Sequence, residues 1–213
     1  MTVIAVMNQK GGSAKTTTCT GLGRALSLDG HDVVLVDSDP QGSLLDWAEA
    51  NKEQPMQVYV IERLALEREI PKLKNDFVIL DGTAKAADLA LKTIKVADLI
   101  LIPVQPSPLD VWATSEMVNM IKDHQEDQVA AGEAPVKVAF DVSRVIGNTK
   151  LSKEISKTLT GYGFPVFKTR MVQRQDHPRA QASGRTPLDT RPGGLAAHEL
   201  RALKNEVLAF LSS

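Results

Sequence analysis

The sequence predicts an α/β fold, a doubly wound, mostly parallel sheet with helices on both faces, and three observations carry that prediction. The runs Val33-Val-Leu-Val36 and Phe77-Val-Ile-Leu80 are apolar at every position, so they need cover on both faces, as parallel strands do. Segments of helical spacing separate the apolar runs, and strand and helix alternate along the chain. Turns rich in Gly, Asp and Pro follow several strands, and in such sheets ligands bind beyond the strands' carboxyl ends.

Residues 2–7 read as the first strand, closed by a Gly-rich turn, and residues 16–28 as the first helix. Residues 32–36 form an apolar strand between Gly30 and the turn-forming Asp37-Ser-Asp-Pro-Gln-Gly42, and a helix follows at 44–51. A strand at 58–61, a helix at 64–73 and a buried strand at 77–80, closed by Asp81, continue the alternation. Residues 99–104 form a further strand, stopped by Pro103, Pro106 and Pro108, after which a long helix is expected over 109–126. Strand, helix and strand recur at 136–142, 151–159 and 164–167, and 199–211 supply a closing helix. The segments 128–135 and 180–194 are the loop candidates.

With 213 residues, 43% of them hydrophobic, the chain suits one domain spanning 1–213. Aromatic residues are only 4%, so aliphatic side chains must fill the core. A single cysteine, Cys19, excludes an internal disulfide framework and any site built from several thiolates, and it suits a reducing cytoplasm. No apolar run approaches the ~20 residues that cross a bilayer. The net charge of −1 hides an asymmetry: residues 144–191 hold ten Lys/Arg against three acids. Such a segment suits either a solvated surface or contact with nucleic acid or acidic membrane.

Between the first strand and the first helix lies Asn8-Gln-Lys-Gly-Gly-Ser-Ala-Lys-Thr-Thr-Thr18, where backbone N–H groups and the helix dipole can cradle phosphates. Gly11 and Gly12 allow close backbone approach, Lys15 would reach the β and γ phosphates, and the Thr16 hydroxyl would coordinate Mg²⁺. Ser13, Ala14 and Thr17 complete the nucleotide-binding loop. A Gly-rich turn with solvent-facing lysines is the plain alternative, and the strand-loop-helix setting argues against it. Phe77-Val-Ile-Leu-Asp81 has the form of a strand ending on a carboxylate that holds Mg²⁺, usually through water. Asp37 and Asp39 fit either an Asx-type turn before a helix or carboxylates that work on a nucleotide.

Lys10-Gly-Gly-x-x-Lys15-Thr-Thr resembles the deviant Walker A loop of the ParA, MinD and nitrogenase iron-protein superfamily of P-loop NTPases. Asp37-x-Asp39-Pro-Gln resembles its switch I, and residues 77–81 its Walker B strand. The resemblance implies ATP and Mg²⁺ as cofactors, ATP hydrolysis, and an ATP-bound homodimer in which Lys10 reaches the partner's nucleotide. It also implies that Asp39 orients the attacking water, that Asp37 supports the metal and its loop, and that Gly82 is the hinge of switch II. A cation supplied in trans would couple dimerisation to the γ phosphate. Lys10 and Asp39 are thus the catalytic candidates, and Thr16, Asp37 and Asp81 the metal candidates. One position departs from the family, which has Gly where this chain has Ala14. If the backbone there lies in a region forbidden to residues with a Cβ, the methyl group costs on the order of 1 kcal/mol or shifts the loop. The expectation is that nucleotide binding survives and hydrolysis is slow, with natural variation as the alternative.

The nitrogenase branch needs two cluster-binding cysteines and is excluded by the single Cys19. Leu200, Leu203, Val207, Leu208 and Leu211 share one face of the closing helix, as a MinD-like membrane anchor would, but that helix lacks a basic face for anionic lipid. Packing on the core, and no membrane, is expected. Pro103-Val-Gln-Pro-Ser-Pro-Leu-Asp110 resembles a segment of the small plasmid partition ATPases of the ParF kind. The chain opens directly on its first strand, so no N-terminal helix-turn-helix is expected. This resemblance implies plasmid or chromosome partition from the nucleoid: an ATP dimer binds nonspecific DNA, and a ParB-like or small centromere-binding adaptor triggers hydrolysis. Lys150, Lys153, Arg170, Arg174 and Arg179 are the candidates for contacting DNA phosphates without reading bases. Three alternatives stand beside it: a same-fold ATPase positioning a carboxysome or chemosensory cluster, a dethiobiotin-synthetase-like ligase, and a non-hydrolysing scaffold.

Overall fold

The structure, a computed structural model, describes residues 1–53, 56–83, 87–147 and 150–213, with side chains for all of these except 83, 87, 88 and 150–153. Strand β1 (Thr2–Asn8) leads to helix α1 (Lys15–Leu28), and β2 (Val33–Asp37) to α2 (Ser43–Glu49). Then come β3 (Gln57–Val60), a run of short helical turns containing α3 (Leu66–Glu69), β4 (Phe77–Thr83), α4 (Ala87–Val96) and β5 (Leu99–Val104). The second half contains α5 (Pro108–Ala113), α6 (Ser115–Ala130), β6 (Lys137–Val145), α7 (Lys150–Thr160) and β7 (Val166–Val172). Helices α8 (Asp176–Gln181), α9 (Pro187–Thr190) and α10 (Leu195–Ser212) close the chain.

One seven-stranded sheet runs in the order β3-β2-β4-β1-β5-β6-β7 with every described pair parallel. The chain builds to one side of β1 as far as β4 and then crosses to the other side with β5. The end of β1 therefore lies where the winding reverses, the place at which such sheets open a crevice. Alternate side chains of β1 supply two apolar layers. Val3, Ala5 and Met7 join Val36, Leu80, Ile94 and Ile121 beneath α4 and α6. Ile4 and Val6 join Leu22, Leu26, Leu35, Ile79 and Leu200 beneath α1 and α10. Leu200, Leu203 and Val207 are fully buried, so α10 packs on the core. Among the described residues no helix is long and apolar enough to cross a membrane.

Some boundaries differ from the expected ones. The single helix expected over 109–126 is two, parted at Thr114, whose buried hydroxyl donates to the Val111 carbonyl at 2.6 Å and competes there with the helical backbone bonds. Helix α6 then continues through Ala130, into a segment expected as loop. The helix expected over 64–73 breaks into 3-10 and α pieces, with Pro71 in the last of them lacking the N–H a regular helix needs. The candidate loop 180–194 contains α9, started by a capping box in which Asp189 accepts from the Thr186 N–H at 3.0 Å. Helices α4 and α8 add to those the spacing predicts.

The end of α2 is tied to the distant segment 184–185. Trp47 Nε1 donates to the Arg185 carbonyl and Asn51 Nδ2 to the Gly184 carbonyl, each at 3.2 Å. Gly184 has φ +59, and a Cβ there would lie 2.7 Å from Asn51 N and nearer still to the Trp47 carbonyl. Gly184→Ala is expected to cost about 2 kcal/mol or more, lowering the thermal midpoint by several degrees. Urea and thermal unfolding of the variant check this, and an unchanged midpoint would contradict the close approach.

Candidate nucleotide site

The loop between β1 and α1 is held by side chains from three strand ends. Asn8 at the end of β1 donates through Nδ2 to the Pro103 carbonyl (2.7 Å) and accepts from the Lys10 N–H (2.9 Å). Gln105 Nε2 and Arg144 Nη1 both donate to the Gly12 carbonyl, at 2.7 and 2.9 Å, and Ser143 Oγ donates to the Ser13 carbonyl at 3.0 Å. Ala14 is the N-cap of α1 with φ 72 and ψ 21, in the left-handed region, and supplies no side-chain cap. The first N–H groups of α1 are thereby left for an anion. Lys15 Nζ lies 3.3 Å from the Lys10 carbonyl, against the inside of the loop.

At the next residue, Thr16 Oγ1 donates to Asp81 Oδ2 at 2.6 Å. Asp81 is 1% exposed, and its Oδ1 has no hydrogen-bond partner among the described residues. Burial pushes the Asp81 carboxyl up to about 7; the Thr16 hydrogen bond opposes this, and the neighbouring Asp37 charge adds to it. Asp37 is the register partner of Asp81 on β2. Its oxygens accept from the N–H groups of Asp39 (3.1 Å), Leu44 (3.0 Å) and Leu45 (2.9 Å), so the carboxylate braces the loop and the start of α2. Burial raises the Asp37 carboxyl, and those N–H bonds lower it. Asp39 accepts from the Gln41 N–H at 3.0 Å and stands on the cleft wall. An orphaned buried oxygen on Asp81 beside a Thr16 hydroxyl fits Mg²⁺, a hard cation that takes oxygen donors, and a divalent charge there would relieve the Asp37–Asp81 repulsion.

Thr16 and Asp39 line one cleft of about 840 Å³, which also takes in Gly11, Gly12, Ala14, Lys15 and Thr17, with Asp81 reached through its bond to Thr16 and Asp37 through the loop it braces. Lys10 is not among its lining residues. Its Nζ instead pairs with Asp110 Oδ2 at 2.6 Å, the lysine side chain 38% exposed and the aspartate 3%. The lysine expected to act on a partner's nucleotide is thus turned towards an acid of its own chain. The segment after β7, with Gln173, Gln175, His177 and Gln181, forms one wall; those residues and Trp47 of α2 are absent from the sequence-based candidates. Gln181 Nε2 donates to Thr17 Oγ1 at 2.9 Å, joining that wall to α1. His177 is buried with no partner for either ring nitrogen among the described residues, and burial lowers its pKa, favouring the neutral ring.

The candidate DNA contacts do not form one set. Arg174 lines the cleft and pairs with Glu199 through Nη2 (2.6 Å) and Nε (3.0 Å). The half-buried Arg170 donates to the Phe167 carbonyl, the Thr169 carbonyl (2.9 Å) and Ser156 Oγ (3.0 Å). Arg179 is exposed on α8. The side chains of Lys150 and Lys153 lie outside the described residues.

Residues 4–188 match the family model of the CobQ/CobB/MinD/ParA nucleotide binding domain. The "Maintenance of carboxysome distribution protein A" of Halothiobacillus neapolitanus is 31% identical over 217 residues, covering 96% of this chain and 95% of that protein. The "Chromosome-partitioning ATPase Soj" of Thermus thermophilus is 25% identical over 239 residues, with 97% and 95% covered. Among solved structures, cobyrinic acid a,c-diamide synthase from Mycobacterium smegmatis with bound ADP and magnesium superposes with a TM-score of 0.77. That match is at 22% identity, over 100% of this chain and 96% of that one, and shows a shared fold.

Two outcomes are expected at the loop and the metal corner. Ala14→Gly relieves the left-handed backbone and should raise stability by roughly 0.5–1 kcal/mol, seen as a higher midpoint in thermal unfolding. Asp81 has a folded pKa of about 7, above the ordinary 3.8. Its stabilising contribution is complete below about pH 4 and is lost as pH rises to 7. Asp81→Asn should therefore raise the midpoint of the metal-free protein at pH 8, with the difference closing near pH 4. A gap that is the same at both pH values would contradict the buried, protonated carboxyl.

Proposed function

The chain belongs to the CobQ/CobB/MinD/ParA nucleotide-binding family, and from that premise we propose that it is a slow ParA-type ATP hydrolase whose ATP-bound pair of copies positions DNA within the cell. The observation that carries this reading is the division of labour between two lysines of one loop. Lys15 lines its own cleft, whereas Lys10 stands outside it, part-exposed and held by Asp110. A lysine that does not line its own chain's cleft is available to the nucleotide of a second copy.

On this reading the residues act as follows. The loop N–H groups and Lys15 receive the phosphates. Thr16 and Asp81 would hold Mg²⁺, which would supply positive charge against that of the phosphates. Asp37 acts through the loop it braces, and Asp39 on that loop orients the attacking water. Lys10 leaves Asp110 and stabilises the charge on the nucleotide across the pair. Arg179, Lys150 and Lys153 contact DNA phosphates, while Arg170 and Arg174 serve the structure and the cleft. A ParB-like or small centromere-binding adaptor triggers hydrolysis and release.

A second cargo is favoured by one specific observation, the match over 96% of the chain to a carboxysome distribution protein. The same ATP cycle would then position a protein assembly and not a plasmid or chromosome.

Steady-state ATP hydrolysis measured alone, with DNA, and with DNA plus adaptor tests the switch. Low intrinsic turnover that rises several-fold only with both is expected; fast turnover indifferent to both would sink the reading. Lys10→Ala should keep Mg²⁺-ATP binding within about threefold yet lose ATP-dependent pairing and stimulated turnover, read by light scattering and phosphate release. The cargo follows from which adaptor stimulates, a centromere-binding protein or one bound to a carboxysome.

A further inference from the structure

Among the described residues, two that are not glycine hold a left-handed backbone: Ala14, inside the phosphate loop, and Arg144, at the end of β6 with φ 51. That conformation is unfavourable for a residue with a Cβ and persists where the surroundings enforce it, often at functional sites. Here the cause is visible. The pairing of β6 with β7 shifts register between Phe140 and Val142 and again between Val142 and Val145, and such irregularities re-aim side chains. The side chain re-aimed is that of Arg144, whose Nη1 donates to the Gly12 carbonyl at 2.9 Å at the rim of the cleft.

That bond is not needed to satisfy Gly12. The same carbonyl accepts from Gln105 Nε2 at the shorter distance of 2.7 Å. Arg144 is exposed, and the Gly12 carbonyl is its one hydrogen-bond partner among the described residues, which leaves four of its five N–H donors unspent. It lines the same cleft as Gly11, Gly12, Lys15 and Thr16. A guanidinium offers a planar fork that matches phosphate oxygens, and its hydrogen bonds to an anion are stronger than one to a neutral carbonyl.

We propose that Arg144 reads the terminal phosphate of a nucleoside triphosphate bound in its own cleft. The guanidinium turns from the Gly12 carbonyl, which Gln105 keeps satisfied, and donates to phosphate oxygens. The backbone strain at Arg144 holds the side chain within reach of that position before the nucleotide arrives. The chain thereby separates triphosphate from diphosphate by a residue distinct from Lys10 and Lys15. This inference rests on the nucleotide reading above.

Binding of a non-hydrolysable ATP analogue and of ADP, each with Mg²⁺, to the full chain tests it by calorimetry on the parent, Arg144→Asn, Arg144→Lys and Gln105→Leu. Asn tolerates the left-handed backbone, so Arg144→Asn should keep the parent's thermal midpoint. It is expected to weaken the triphosphate about tenfold or more while ADP changes less than about twofold. Arg144→Lys should lose a smaller part of that preference, and Gln105→Leu, which loosens only the loop, should shift both nucleotides together. Equal weakening of both nucleotides by Arg144→Asn would make Arg144 a prop for the loop and overturn the inference. An unchanged ATP-to-ADP ratio in both Arg144 variants would also overturn it. Failure of the parent to bind either nucleotide would overturn the nucleotide reading itself, a result separable from the other two.

Discussion

Parallel pairing in register sets two buried carboxylates side by side, one closing β2 and the other within β4, and much of the site follows from how each is relieved. Asp37 and Asp81 are partnered positions with 1% exposure each, so neither has water to carry its charge. Three backbone N–H groups converge on Asp37, and that convergence bends the chain after β2 into its loop and starts α2. Among the described residues Asp81 receives only the Thr16 hydroxyl and keeps an oxygen without a partner. The first carboxylate is consumed by structure, while the second retains an electrostatic demand that a cation meets. The cleft opens beside that demand.

The phosphate loop tolerates Ala14 in an unfavourable backbone region because its conformation is over-determined from outside. Donors at the ends of β5 and β6 hold the carbonyls of Gly12 and Ser13, and Asn8 ties the end of β1 to Pro103. The cleft walls are fastened to the same frame. Gln181 reaches Thr17 on α1, and Trp47 reaches the Arg185 carbonyl, so the helix after switch I and the segment after β7 share hydrogen bonds. Through these bonds the two walls and α1 form one connected frame around the cleft.

Those parts of the molecule that are local patterns were legible in the sequence. Val33 to Val36 and Phe77 to Leu80 are apolar throughout because both their faces are covered. The loop at Lys10 to Thr17 and Asp39 come just after strands, Asp37 closes β2 and Asp81 lies within β4; most of the loop and Asp39 line the cleft, Asp37 braces it and Asp81 meets it through Thr16. What stayed hidden depends on meetings between distant residues. Arg174 looks like a free cation until Glu199, on α10, is seen to neutralise it. Arg170 looks like another until its guanidinium is found pinned to Ser156 and two carbonyls. Asp110 gives no sign, a hundred positions from Lys10, that it is that lysine's partner. The break between α5 and α6 falls at Thr114 and Ser115, whose hydroxyls find carbonyls three residues back, a detail that helical spacing cannot register.

The Lys10–Asp110 pair also bears on how the protein responds to its own abundance. Asp110 is almost wholly buried, and its second oxygen has no partner among the described residues, so losing the lysine leaves a carboxylate stranded in apolar surroundings. On the proposed reading Lys10 leaves only for a phosphate bound to another copy, which makes nucleotide occupancy and pairing linked equilibria. Apparent affinity for nucleotide then rises with the local density of the chain. Scattered molecules hold nucleotide and stay single while crowded ones pair, and the strength of one ion pair helps set the density at which the population changes over.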